Sequence, residues 1–149
     1  MGINQVLVRN ILIFIISTSL ACKKEDVTPK TPEQLLTKNA WKIDELRYLQ
    51  NNVPHYYKRG GTQNTESFSN EYIEFFSDKT GRYYAQDLSS VPITWNFVNA
   101  EKTIIQYTIQ YGLVVTWESI ILTEGSIRYT EYYTRNGIKS LAEGIRIPK

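Results

Sequence analysis

From Trp41 onward, apolar and polar positions alternate in short runs separated by turn-forming residues. A two-residue period is the mark of a half-buried strand, so the chain predicts β-structure over most of its length. Trp41 to Leu49 is the first run. Asn51 to Asn70 is long and polar, contains Pro54, Gly60 and Gly61, and reads as a large loop. Glu71 to Ser77 follows, then a turn at Asp78-Lys79-Thr80-Gly81 with the Asp-first, Gly-last preference of a type I turn, then Arg82 to Gln86. Ile93, Trp95 and Phe97 alternate with Thr94 and Asn96. Ile105, Tyr107 and Ile109 do the same within Thr103 to Ile109, beyond a turn at Asn99 to Lys102. Gly112 breaks the pattern before Leu113 to Leu122, and Glu124-Gly125 separates that run from Ile127 to Thr134. Asn136-Gly137 is a strong hairpin signal. Ile138 to Ala142 is the returning strand, with Ile145 to Ile147 as an extension.

About eight strands joined mostly by tight turns give an antiparallel meander, and such a meander removes its exposed edges by closing into a barrel. A two-sheet sandwich is the alternative, but it needs crossovers for which the short turns leave little chain. The shared alternation points Ile73, Phe75, Trp95, Phe97, Val115 and Trp117 inward. Ahead of the strands, Thr31-Pro32-Glu33-Gln34 predicts a short helix running to about Lys38. Thr31 serves as cap, Pro32 takes the first helical position, and Gln34 completes a capping box.

The residues before the helix have a different pattern. Residues 1–21 hold Arg9 and no acid, a purely apolar run from Ile11 to Ile16, and a small-residue exit at Ser17, Thr18, Ser19 and Ala21. This is the layout of a secretory signal, and the run is shorter than the roughly 20 apolar residues a membrane span needs. The sole cysteine, Cys22, follows at once, so the domain has no internal disulfide. Ser19-Leu20-Ala21-Cys22 resembles the bacterial lipobox, which implies cleavage before Cys22 and acylation of it. A single acyl chain binds marginally, whereas additional chains anchor stably. Lys23-Lys24-Glu25-Asp26 is similar to the tag that directs some Gram-negative lipoproteins to the cell surface, or is simply a solvated charge run. The expected organisation is a signal peptide over 1–21, a polar tether over 22–31 and one barrel domain over 32–149.

Composition narrows the partners. Seventeen Lys and Arg stand against fifteen Asp and Glu. Charges so evenly mixed argue against a nucleic-acid partner. Eleven Tyr and three Trp are many for 149 residues, and both suit sites apolar on one side and wet on the other. No catalytic constellation emerges. His55, the only histidine, lacks a local nucleophile and orienting acid and reads as an exposed loop residue. One His and a lipid-bound Cys make no usual zinc set, no acid-rich loop suits Ca²⁺, and Gly60-Gly61 does not match a phosphate loop. Asp78 and Glu74 form no convincing carboxylate pair, since Asp78 has a turn role. No cofactor is expected.

The helical lead-in ending at Trp41 is followed by Tyr72-Ile73-Glu74-Phe75-Phe76-Ser77-Asp78-Lys79-Thr80-Gly81, Ile93-Thr94-Trp95-Asn96-Phe97 and Trp117-Glu118-Ser119-Ile120-Ile121-Leu122-Thr123. Together these segments resemble the lipocalin-like domain lipoproteins of Gram-negative bacteria, over roughly Pro32 to Ala142. The resemblance implies an eight-stranded up-and-down barrel, anchored in the outer membrane at its surface or periplasmic face, and no catalytic residues. Two interiors remain open. Trp95, Tyr107 and Trp117 either fill the core or line a cavity for a small apolar or amphipathic molecule or a glycan. Tyr56 and Tyr57, with Tyr83 and Tyr84, are expected at the rim, where they could stack on a ligand. The two functions that follow are a ligand-binding module and a non-enzymatic structural or inhibitory protein with a filled barrel. The chain is expected to be a monomer.

Overall fold

The computed structural model describes residues 28–50, 52–110, 112–135 and 138–149, with the side chains of 133–135 and 138–139 excepted. The leader, Cys22, the Lys23 to Asp26 tag and the Asn136-Gly137 turn lie outside the described residues. In chain order the elements are α1 (Pro32–Leu36), β1 (Ala40–Gln50), β2 (Val53–Lys58), β3 (Tyr72–Phe75), β4 (Thr80–Tyr84), β5 (Ser90–Phe97), β6 (Ile105–Ile109), β7 (Leu113–Leu122), β8 (Ile127–Arg135) and β9 (Ile138–Pro148). All strand pairs are antiparallel. From β3 to β9 each strand pairs with the next, and β9 pairs back onto β1 over Trp41↔Pro148 to Tyr48↔Ala142, so an eight-stranded barrel closes.

The ninth strand corrects the sequence reading. Val53–Lys58 is not loop but β2, a hairpin partner of β1 from Glu45↔Lys58 to Gln50↔Val53. β3 pairs with the first part of that same edge of β1, through Ala40 to Lys42. Thus β2 and β3 share one place in the barrel wall, end to end. The far edge of β2 is not left bare. Tyr56 N–H donates to Thr65 Oγ1 and Lys58 N–H donates to the Asn64 side chain, so residues of the long connection stand in for a neighbouring strand.

Two irregularities keep the alternation aimed inward. The β1–β9 register shifts between Ile43 and Glu45, so Trp41 and Ile43 point in, and beyond the bulge Leu46 does so again. In β7 the register shifts between Glu118 and Ile121, with Ser119 at a φ of 53°, and both Trp117 and Ile120 are buried. All six residues expected inside (Ile73, Phe75, Trp95, Phe97, Val115 and Trp117) are buried.

The turn expected at Asp78 to Gly81 lies slightly earlier. Lys79 N–H bonds to the Phe76 carbonyl, and Gly81 belongs to β4. Gly81 is there for packing: a Cβ would come within 2.2 Å of the Glu74 carbonyl.

One end of the barrel is stoppered. The capping box of α1 forms as the sequence predicts, with Gln34 N–H donating to Thr31 Oγ1 and Thr31 N–H donating to Gln34 Oε1. The helix ends at Leu36, which is fully buried, and Trp41 Nε1 donates to the Leu36 carbonyl at 2.7 Å. Glu33 receives Lys79 and Lys102, and Glu124 receives Lys30 and Lys38, so the turns at this end grip the helix and its flanks. Behind it Phe75 meets Trp95 and Trp117 edge-to-face at 5.6 and 5.7 Å. Quadrupole attraction favours this geometry, and truncating such a core aromatic to Ala typically costs about 3–5 kcal/mol.

Candidate functional site

The other half of the barrel is hollow. A cavity of about 620 Å³ opens at the end away from α1, where Gln50 ends β1, Ile109 ends β6 and Leu113 begins β7. That volume is in the range of small-molecule sites. The interior is thus divided: aromatics fill the end under α1, and a chamber occupies the mouth.

The chamber has two chemistries. Its walls are Ile43, Leu46, Ile109, Leu113, Val115 and Ala142. Its floor carries Arg146, Glu71, Glu131, Tyr83, Tyr107 and Tyr129. A charge so far from water persists only when paired and hydrogen-bonded. Arg146, 2% exposed, meets that condition. Its Nη2 pairs with Glu71 Oε1 at 2.9 Å, its Nε donates to Tyr129 Oη at 3.1 Å, and its Nη1 donates to the Trp41 carbonyl at 3.1 Å. The guanidinium also lies 5.3 Å from the Trp117 ring centre, and Trp117 stacks on Tyr129 at 4.1 Å. Gly144 makes room for that stack, because a Cβ there would sit 2.3 Å from Tyr129 Cζ.

Ionisation follows from this packing. Burial pulls the Arg146 pKa down, but the neighbouring Tyr129, Glu71, Tyr107 and Glu131 outweigh it, and the group is held more firmly charged than a free arginine. Glu131 Oε2 accepts from Trp117 Nε1 at 2.7 Å. Burial nonetheless raises its pKa above the ordinary carboxyl value. The Trp117 bond and the Arg146 charge oppose that rise only in part, and the Glu71 charge adds to it. Burial likewise pushes the phenols of Tyr83, Tyr107 and Tyr129 upward, so they remain neutral donors.

The candidates named from the sequence are divided by this geometry. Tyr107 lines the cavity. Trp117 lies under the floor and holds Glu131, and Trp95 belongs to the filled end, its Nε1 donating to the Phe76 and Thr80 carbonyls. Tyr57 is buried in a cluster with Ile43, Leu46 and Ala142, edge-to-face with Phe68 at 5.5 Å, and does not itself line the cavity. Tyr56 pairs across from Arg47, whose guanidinium lies 5.5 Å from its ring, and neither lines the chamber. Tyr83 faces the cavity, whereas Tyr84 stacks on Tyr72 at 4.0 Å, away from the chamber. The long connection reaches the mouth through Phe68. His55 is not an exposed loop residue: it lies in β2, stacked on Tyr48 at 4.7 Å, with Nδ1 2.8 Å from Glu66 Oε1.

Sequence reasoning missed Arg146, Glu71, Glu131 and Tyr129. The signal was one of phase. Glu131 continues the inward series Ile127, Tyr129, and Arg146 continues Ala142, Gly144, so each is a charge at a position the period assigns to the interior. Among the described residues no group of three or more His, Cys, Asp or Glu could hold a metal ion. Comparison with protein-family models, with curated proteins and with solved structures finds no match for this chain.

Proposed function

We propose that the chain is a lipid-anchored, lipocalin-like lipoprotein of a Gram-negative envelope, and that its barrel holds one small amphipathic molecule close to the membrane. The anchor half of this reading rests on the 1–21 leader and Cys22. The binding half rests on one observation above the others: an open chamber of about 620 Å³ with apolar walls and a floor of hydrogen-bonding groups. Sites of this composition use the apolar surface for affinity and the few polar groups for orientation. The role read for the chamber is binding: Arg146, Glu71 and Tyr129 hold one another, and Glu131 stands outside the ion pairs, open to a ligand.

Native mass spectrometry of the chain purified from its envelope fraction tests the binding half. A mass increment that disappears on denaturation is expected. A chain that carries none, and takes up none from a panel of amphiphiles, refutes it. For the anchor, Cys22→Ser should release the product from the membrane fraction or leave it unprocessed. A processed, membrane-bound Cys22→Ser chain would overturn that half alone.

A further inference from the structure

The floor of the chamber contains one cation and two carboxyl groups, and its pairing is lopsided. Arg146 is committed to Glu71, to Tyr129 and to the Trp41 carbonyl. Glu131 has an indole N–H from Trp117, a hydrogen bond with Tyr107 and the more distant Arg146 charge, but it takes part in none of the ion pairs found among the described residues. We propose that the chamber selects an amphipathic amine, with its ammonium group against Glu131 and its apolar tail along Leu46, Ile109 and Leu113 toward the mouth. This rests on the reading of the barrel as a binding chamber and names the class of molecule it takes.

Three alternatives for the head group are separated by elementary electrostatics. A carboxylate or phosphate head would enter beside Glu71 and Glu131, and would have to pull Arg146 from its partners to gain a counter-charge. Removing one partner from a buried pair is costly, so an anion is disfavoured twice. A neutral hydroxyl finds hydrogen bonds but no charge to neutralise. An ammonium brings three donors and no acceptor. It meets a carboxylate that belongs to none of the ion pairs found among the described residues, and phenolic oxygens that can accept. Hydrogen bonds with an ionised partner are roughly twice as strong as neutral ones. Burial is the largest cause of the raised Glu131 pKa and the Glu71 charge adds to it, so an ammonium beside this carboxyl would favour its ionised form.

The direction of entry follows from the layout. Glu131 lies on the floor, while Leu113 and Ile109 sit where strands end at the mouth, so the head goes in first.

The purified full chain is titrated at pH 7 and about 0.15 M salt with octylamine, 1-octanol and octanoate. Calorimetry and tryptophan emission follow the binding. Octylamine should bind at least about tenfold more tightly than octanol, and octanoate more weakly than either. Glu131→Gln should erase the amine's advantage and leave octanol unchanged. Leu113→Trp, which narrows the mouth, should weaken all three. Octanol or octanoate binding as tightly as octylamine overturns the amine assignment and leaves the chamber reading standing. Binding of none of the three overturns both. An amine advantage that survives Glu131→Gln, or octylamine affinity unchanged by Leu113→Trp, places the amine elsewhere and also overturns the proposal. The wild-type ranking decides the matter even if Glu131→Gln fails to fold.

Discussion

Replacing Arg146 with Met probes the floor most sharply. Methionine keeps much of the side chain's length and apolar stem but removes the guanidinium. Glu71, only 6% exposed, then keeps a carboxylate without its counter-charge, and Tyr129 Oη and the Trp41 carbonyl each lose a donor. Breaking a buried pair from one side costs about 3–5 kcal/mol, most of it the penalty of the orphaned charge. Domains of this size are stable by about 5–15 kcal/mol, so the loss is a large share of the total and corresponds to a fall in Tm on the order of 10–20 °C. If the orphaned carboxylate is the cause, removing it must restore stability. Arg146→Met with Glu71→Leu should return to within about 1–2 kcal/mol of the parent, as apolar replacements of whole buried pairs do. Urea unfolding followed by tryptophan emission at pH 7 compares the parent with both variants, and the slope of each transition checks that the folded state stays compact. A single-variant loss under about 1 kcal/mol would refute the reasoning. So would a double variant as unstable as Arg146→Met, since the cost would then lie in lost packing and not in the stranded charge.

Gly144→Ala places a methyl carbon only 2.3 Å from Tyr129 Cζ and should cost about 1–3 kcal/mol. Near-ultraviolet circular dichroism should show the Trp117–Tyr129 stack disturbed, and an unchanged spectrum at unchanged stability would contradict the packing described. Glu131→Gln should flatten part of the pH dependence. The folded pKa of Glu131 is raised, so its contribution is fully present below the ordinary carboxyl value and is lost as pH climbs through the raised one. The variant should therefore gain on the parent between pH 4 and pH 8 in thermal melts, and a constant difference across that range would reject the assignment. Glu124 should titrate at about 2, held down by hydrogen bonds and charge from Lys30 and Lys38. Changing both lysines to Met should carry it back toward 4.5 in a carboxyl-carbon NMR titration.

What the sequence determined by itself is what depends on near neighbours along the chain. A two-residue period assigns each side chain to one face, so the inward set from Ile73 to Trp117 and most strand limits were legible. So was the capping box, which needs only Thr31 and Gln34. Where tertiary partners set the outcome, the reading failed. Val53–Lys58 contains Pro54 and His55 and reads as loop; it is a strand because β1 offers one edge and Asn64 and Thr65 cover the other. The bulges in β1 and β7 change the phase of alternation at points no local residue type announces. The chamber lay furthest from view. Arg146 and Glu71 are 75 positions apart and meet only because β9 closes the barrel onto β1. Whether a barrel is filled or hollow depends on the summed volume of side chains from every wall, and period cannot report that sum. The charged residues in phase with the interior were visible all along, but a charge becomes a binding feature only when the fold has set its partner beside it and excluded water from both.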